Sequence, residues 1–214
     1  MTTKKQTIRI STSNQATCTD LINQLEKGYV AMNKKFFNKS LPDVTITLIP
    51  DVKGNALGWI YSKPVWHKNG EMYYELNICS DHLDRSKVEI YGTLLHEMVH
   101  IYNAVNGIKD TSRYGVYHNK KYGEQAEKHG LSVEVSEKYG YAHTTPTAET
   151  AKWIEENLAD LINMYREAFK TSAKRIRTGS TSIKYVCPHC QTSVRATKEV
   201  NIMCADCGVM MEAE

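Results

Sequence analysis

Residues 92–103 read GTLLHEMVHIYN, and the fold and the chemistry of the chain both turn on whether this stretch is helical. Ile90, Leu94, Leu95, Met98 and Val99 recur at helical spacing behind Ser86 and Glu89, a capping-box pair, and Gly107 offers a C-terminal stop. The stretch is therefore expected mid-helix. Residues four apart on a helix share a face, about 6 Å apart along the axis. His96 and His100 can thus aim at one metal ion, while Glu97, turned by about 100°, stands beside it. At this chain's histidine and glutamate content H-E-x-x-H arises by chance about 2% of the time, so the pattern is treated as signal. The plain alternative is two histidines on the polar edge of a core helix, with Glu97 a solvated charge.

The chemistry explains the order of residues. Neutral imidazoles bind Zn²⁺ without cancelling its charge, so the ion still acidifies a bound water and polarises a carbonyl. Glu97 can take the proton of that water and pass it to a leaving amine. A catalytic zinc normally has three protein ligands and one open position, so one more ligand is required. His118, His129 and His143 follow the motif, and Glu124 and Glu127 are carboxylate options.

Further out, the chain has 214 residues, 41% hydrophobic and 24% charged, which fits a folded globular protein and neither a disordered nor a collagen-like one. No apolar run approaches the roughly 20 residues of a bilayer span, and MTTKKQTIRISTSNQ lacks the apolar stretch of a secretory signal, so a cytoplasmic chain without a membrane partner is expected. Leu21, Leu25, Met32 and Phe36 predict a first helix ending near Asn38 and Pro42. Residues 44–50, 56–62 and 72–79 predict a small, mostly antiparallel sheet, with a tight turn at Asn69-Gly70. A third helix is expected from about Asn119 to His129, closing at Gly130. A fourth is expected after Thr145-Pro146, carrying Ile154, Leu158, Leu161, Ile162, Tyr165 and Phe169 on one face.

Near the C-terminus, Cys187-Pro-His-Cys190 and Cys204-Ala-Asp-Cys207 form two knuckles able to surround one Zn²⁺, with Gly208 suited to the second turn and Gln191 where glycine is more usual. Four thiolates close the coordination shell, so this site is expected to be structural. His189, inside the first knuckle, is expected to be exposed, and Cys18 and Cys79 to be buried, inert thiols. Cys79 with His82 has metal-like spacing but no further partner.

Charge is uneven along the chain. Residues 170–198 hold seven positive charges, among them Lys170 and Lys198, and no acid, so of the net +3 the remainder carries −4. Lys174, Arg175, Arg177, Lys184 and Arg195 could neutralise phosphates, and Tyr185 could stack on an unpaired base, which makes DNA, single-stranded or bound without sequence preference, the expected partner.

Four motifs, GTLLHEMVHIYN, YHNKKYGEQAEKHGL, YVCPHC and CADCGVMM, resemble the SprT-like (Spartan-related) metalloprotease family, and FFNKSLP is similar to its FN..LP segment. The resemblance implies a zinc-dependent endopeptidase that acts on DNA-associated or DNA-crosslinked proteins. It implies His118 as third ligand, since the family's ligand opens H-G-x-x-F, from which Asn119 and Tyr122 depart, and it leaves His129 as a helix-end residue whose charge suits the dipole. The expected fold is α+β: a tail at 1–13, a helix-rich zincin-like core at 14–169 with a small antiparallel sheet, a basic linker at 170–183 and a β zinc ribbon at 184–214. Two zinc ions are expected, one catalytic and one structural. The other class of function is a non-catalytic, zinc-stapled module that bridges nucleic acid and protein. No oxyanion stabiliser is assigned; Tyr114, Tyr117, Tyr139 and Tyr141 are each expected to be core aromatics.

Overall fold

The structure is a computed structural model that describes residues 16–51, 56–167 and 182–214. The expected tail at 1–13, nearly all of the expected linker at 170–183 and Phe169 lie outside the described residues. The chain is mixed α+β and forms two compact units, one within Met1–Ala168 and one within Phe169–Glu214.

The first unit begins with helix α1 (Cys18–Phe36), whose Thr17 and Asp20 make a reciprocal capping box, and whose Leu21, Leu25, Tyr29 and Met32 line one buried face. Strands β1 (Val44–Thr47), β2 (Gly58–Ile60), β3 (Trp66–Lys68) and β4 (Glu71–Ile78) follow. Asn69 and Gly70, at φ 52° and 84°, close the β3–β4 hairpin, because the primed turn that matches strand twist needs both central residues left-handed. β2 and β3 run antiparallel to β4, but β1 runs parallel to it, the one departure from an antiparallel sheet.

Helix α2 (Lys87–Val105) carries the opening motif and has the expected cap: Ser86 and Glu89 satisfy each other's backbone donors. Leu94, Leu95, Met98, Val99 and Ile101 are fully enclosed and pack with Leu76 and Ile78 of β4 and with Leu21 and Leu25 of α1. Each such side chain contributes about 1.5–3 kcal/mol of burial. Next come the short strands β5 (Thr111–Ser112) and β6 (Tyr117–His118) and helix α3 (Lys120–Lys128), capped by Asn119.

The short strands β3, β5 and β6 were not expected from the sequence, nor were two longer ones: β7 (Leu131–Ser136) and β8 (Gly140–Pro146) pair antiparallel and join β5 and β6 in the order β5-β6-β8-β7. Thr145 and Pro146 thus end a strand, and the helix after them, α4 (Ala148–Asn157), starts from Thr147 as cap. It is also shorter than its apolar period suggests. Leu158, Leu161, Ile162 and Tyr165 lie beyond it in non-helical backbone. The Gln24 amide donates to the Asp160 carbonyl and accepts from the Ile162 amide, while the Arg166 amide donates to the Ser80 carbonyl. These tertiary bonds take the place of the next helical turns, and Leu158 and Leu161 still reach the core.

His129 caps α3, but not as a charged ring: it stacks on Phe37 at 4.2 Å between centroids, meets Tyr102 edge-on, and its Nδ1 bonds the Phe36 carbonyl. Burial holds its pKa below the ordinary 6.5, which corrects the dipole reading. An unfolded histidine titrates near 6.5 and this buried one lower, so the unfolded chain takes up a proton first. Its contribution to stability is thus present above pH of about 6.5 and lost as pH falls through that value. Replacement by Gln should flatten the decline in melting temperature between about pH 6.5 and 5 relative to the parent, measured by calorimetry.

The second unit contains β9 (Ile183–Val186), β10 (Ser193–Ala196) and β13 (Glu212–Ala213) as one sheet in the order β10-β9-β13, with β11 (Met203–Cys204) and β12 (Val209–Met210) as a separate pair. Among the described residues its buried core is Tyr185, Cys187, Cys204 and Met211. No helix among the described residues is long and apolar enough to cross a membrane.

Candidate metal centres

His96 and His100 project from one face of α2, and His118 reaches them from β6. His118 is held there by its backbone: its amide donates to the Tyr139 carbonyl and it pairs with Thr111 on one side and Gly140 on the other. Gly140, at φ 65°, is the position where a side chain has no room, since a Cβ would lie 2.0 Å from the His118 carbonyl oxygen. The Nε2 atom of His118 lies 3.3 Å from that of His96 and 2.9 Å from that of His100. A tetrahedron with Zn–N bonds of about 2.0–2.1 Å has edges of about 3.3 Å, so the donor set fits such an ion. Burial keeps His96 well below its usual pKa, and burial together with the neighbouring His100 pushes His118 down to about 4. Both rings are therefore neutral at pH 7, the form that coordinates. His143 is exposed, as are Glu124, which pairs with Lys120, and Glu127. Of the candidates for third ligand, His118 is the one brought to the pair.

The rings are backed by residues that sequence reasoning did not single out. Tyr122 is fully buried, with its ring 4.9 Å from His96, 4.4 Å from His100 and 4.7 Å from His118 between centroids. Behind His96, Nδ1 lies 2.8 Å from the Thr144 hydroxyl; behind His100, Nδ1 lies 2.6 Å from Asp110 Oδ2. Burial would raise the Asp110 carboxyl, but the bonds from His100 and Asn103 outweigh it and hold the pKa below the usual value. Asp110 is eight residues before His118 and followed by a β-branched residue, and no local periodicity marks it.

Glu97 is buried, and burial pushes its carboxyl up to about 7. A cation on the adjacent imidazoles would act in the opposite direction. The close approach of β2 to Glu97 depends on Gly58: a Cβ there would stand 3.0 Å from Glu97 Oε1 and 2.8 Å from the Asn77 carbonyl oxygen. The carboxylate thus lies between α2 and the start of β2, interacts electrostatically with His100 and stands outside the histidine cluster.

In the second unit, the Sγ atoms of Cys187, Cys190, Cys204 and Cys207 all lie within 4.8 Å of one another. Cys190 and Cys204 are 3.7 Å apart, against an edge of about 3.8 Å for tetrahedral Zn–S bonds of about 2.3 Å. The two knuckles are built alike. Gln191 and Gly208 adopt φ 60° and 67°, and each donates its amide to the carbonyl of the first cysteine of its pair, Cys187 or Cys204. Gln191 therefore occupies a left-handed position that favours glycine. His189 is exposed, as expected.

Other expectations fare differently. Tyr185 is buried, and its hydroxyl accepts from the Val200 amide, so its ring packs the core of the second unit and is not presented for base stacking. Lys184 is ion-paired with Glu214, and Arg195 bonds the Ser182 hydroxyl; Lys174, Arg175 and Arg177 lie outside the described residues. Cys79 is buried but Cys18 is exposed, because α1 turns its first residue outward. Tyr141 packs against Gly123, whereas Tyr114, in a left-handed turn at φ 58°, is fully exposed and not a core aromatic. No family model, curated protein or solved structure matches the chain, so the reading of both centres rests on these residues alone.

Proposed function

We propose that the chain is a zinc-dependent endopeptidase of the SprT-like type, acting on DNA-associated or DNA-crosslinked proteins. The observation that carries this reading is a buried carboxylate, Glu97, which follows His96 on α2 and interacts electrostatically with His100, in the unit where the imidazoles of His96, His100 and His118 converge. A purely structural three-histidine site has no use for a buried acid outside its ligand set, and burying one costs stability.

His96, His100 and His118 would hold the catalytic ion, and Cys187, Cys190, Cys204 and Cys207 a second, structural one. When bound, Zn²⁺ at three imidazoles lowers the pKa of a coordinated water toward about 7 and polarises a carbonyl. Glu97 accepts a proton from the attacking water as the C–O bond forms, then returns it to the amide nitrogen as the C–N bond breaks. The missing Cβ at Gly58 leaves room for the carboxylate against β2, and the buried ring of Tyr122 packs on all three imidazoles. Substrate recruitment is assigned to DNA contact by the basic stretch at 170–198, with Lys174, Arg175 and Arg177 as its densest part.

The test is a metal count joined to a cleavage assay. The parent should carry two zinc ions and cleave a protein bound to single-stranded DNA, and that stimulation by DNA should fade as salt rises. His118→Ala should hold about one zinc and lose cleavage. A parent with one zinc, or one that leaves the protein intact with and without DNA, overturns the reading.

A further inference from the structure

The Nε2 atoms of a three-histidine centre are useful only if each ring carries its proton on Nδ1, because a neutral imidazole has one N–H and one free lone pair. In solution the two tautomers interconvert, so what stands behind Nδ1 decides which nitrogen faces the ion. For His100 that group is Asp110 Oδ2 at 2.6 Å, a carboxylate oxygen that accepts the Nδ1 proton. For His96 it is the Thr144 hydroxyl at 2.8 Å, delivered by β8.

Both groups are themselves fixed. Asp110 Oδ2 also accepts from Asn103 Nδ2 at 3.0 Å, and Asn103 is fully buried in α2. The Asp110 carbonyl accepts from the Asn119 amide at 2.9 Å, so the residue that orients the second ligand also ties down the residue after the third. Thr144 sits opposite Val133 in the β7–β8 register. Near it the Tyr122 hydroxyl, which a phenylalanine would lack, donates to the His96 carbonyl at 3.4 Å.

We propose that Thr144 and Asp110 are positioning residues of the histidine centre: they lock His96 and His100 as Nδ1–H tautomers and aim both Nε2 lone pairs at a shared divalent cation. This rests on the reading of that centre as a zinc site. The two arms differ in kind. Asp110 carries a charge that also raises the basicity of its imidazole, whereas the Thr144 hydroxyl is neutral and is left to accept from His96 because it also bonds the Tyr122 hydroxyl, whose own proton goes to the His96 carbonyl, so the Asp110 arm contributes more to affinity.

The test measures zinc affinity of the histidine centre in the full-length chain, by competition with a chromophoric chelator after the cysteine site has been filled. Asp110→Ala should weaken zinc binding by about 10- to 100-fold and Thr144→Val by about 10-fold. Asp110→Asn, which keeps an acceptor but no charge, should fall between Asp110→Ala and the parent, and Thr144→Ser, which keeps the hydroxyl, should stay within about 3-fold of the parent. Serine rescue is the arm that separates hydrogen bonding from packing. If Thr144→Ser loses as much as Thr144→Val, or if Asp110→Ala and Thr144→Val bind zinc like the parent, the proposal fails while the zinc site stands. A parent that takes up no zinc beyond the cysteine site takes the proposed function down with it.

Discussion

Glu97→Gln is expected to keep both zinc ions and the fold while slowing peptide-bond hydrolysis by about 10²- to 10⁴-fold. That span corresponds to about 3–5 kcal/mol of lost transition-state stabilisation. The amide has nearly the shape of the carboxylate, so the wedge between α2 and β2 near Gly58 stays filled, and none of the three ligand imidazoles is touched. What is removed is the ability to accept a proton. Stability moves the other way from activity. In the zinc-free chain the Glu97 carboxyl titrates near 7 instead of 4.5, so the folded state binds its proton more tightly than the unfolded one. Ionising the buried group then costs stability, beginning above pH 4.5 and complete once pH has risen through about 7. The zinc-free glutamine variant should therefore melt higher than the zinc-free parent at pH 8, with the gap closing toward pH 4.5. Equal cleavage rates for variant and parent would leave Glu97 as a bystander and favour a zinc-stapled binding module.

Cys204→Ser is expected to unfold the second unit and to lower the zinc content by one. Among its described residues the unit buries four side chains in its core, two of them the cysteines Cys187 and Cys204 themselves, so little apolar area opposes the entropy of ordering some thirty residues. Structural zinc sites of this kind supply about 10–16 kcal/mol of apparent binding energy, and that energy is folding energy. Loss of one thiolate opens the shell and removes most of it. Hydrogen exchange would read the result directly: amides of β9 and β10 lose protection, while those of α2, in a unit with its own large core, keep theirs. Protected β9 and β10 in a variant with one zinc fewer would show that the ribbon folds without its metal.

The DNA part of the proposal is narrowed by the fold. Of the six side chains expected to contact nucleic acid, Tyr185 is needed inside the ribbon and Lys184 already has an acidic partner, so weight shifts to Lys174, Arg175 and Arg177. Burial of Tyr185 was not legible because alternation in IKYV does not say which face of a three-stranded sheet is covered.

Local signals in the sequence, acting within a few residues, were enough for helix α2, its Ser86–Glu89 cap, the Asn69-Gly70 turn and the two cysteine knuckles. Each is set by hydrogen bonds or dihedral preferences spanning at most a turn of chain. The pair His96 and His100 belongs to the same class, since helical geometry alone puts them on one face. The β7–β8 hairpin was missed although Leu131, Val133 and Val135 alternate between Gly130 and Gly140, because β8, GYAHTTP, has no apolar alternation and places Gly, Ala, His and Pro among its Tyr and Thr. The α4 period misled for the opposite reason: a 3.6-residue apolar repeat was present, but Gln24 supplied the backbone partners that a helix would have needed.

The resemblance already pointed to His118, but only the tertiary structure showed what brings it to the pair and what stands behind the rings of His96 and His100. His118 is set by pairing β6 to β8 across an unpredicted sheet, Thr144 arrives on that same sheet, and Asp110 is fixed through Asn103 and Asn119. These placements depend on contacts between segments that are neighbours only after the core has closed, whereas the H-E-x-x-H ligands and the cysteine knuckles sit on elements that fix their own geometry.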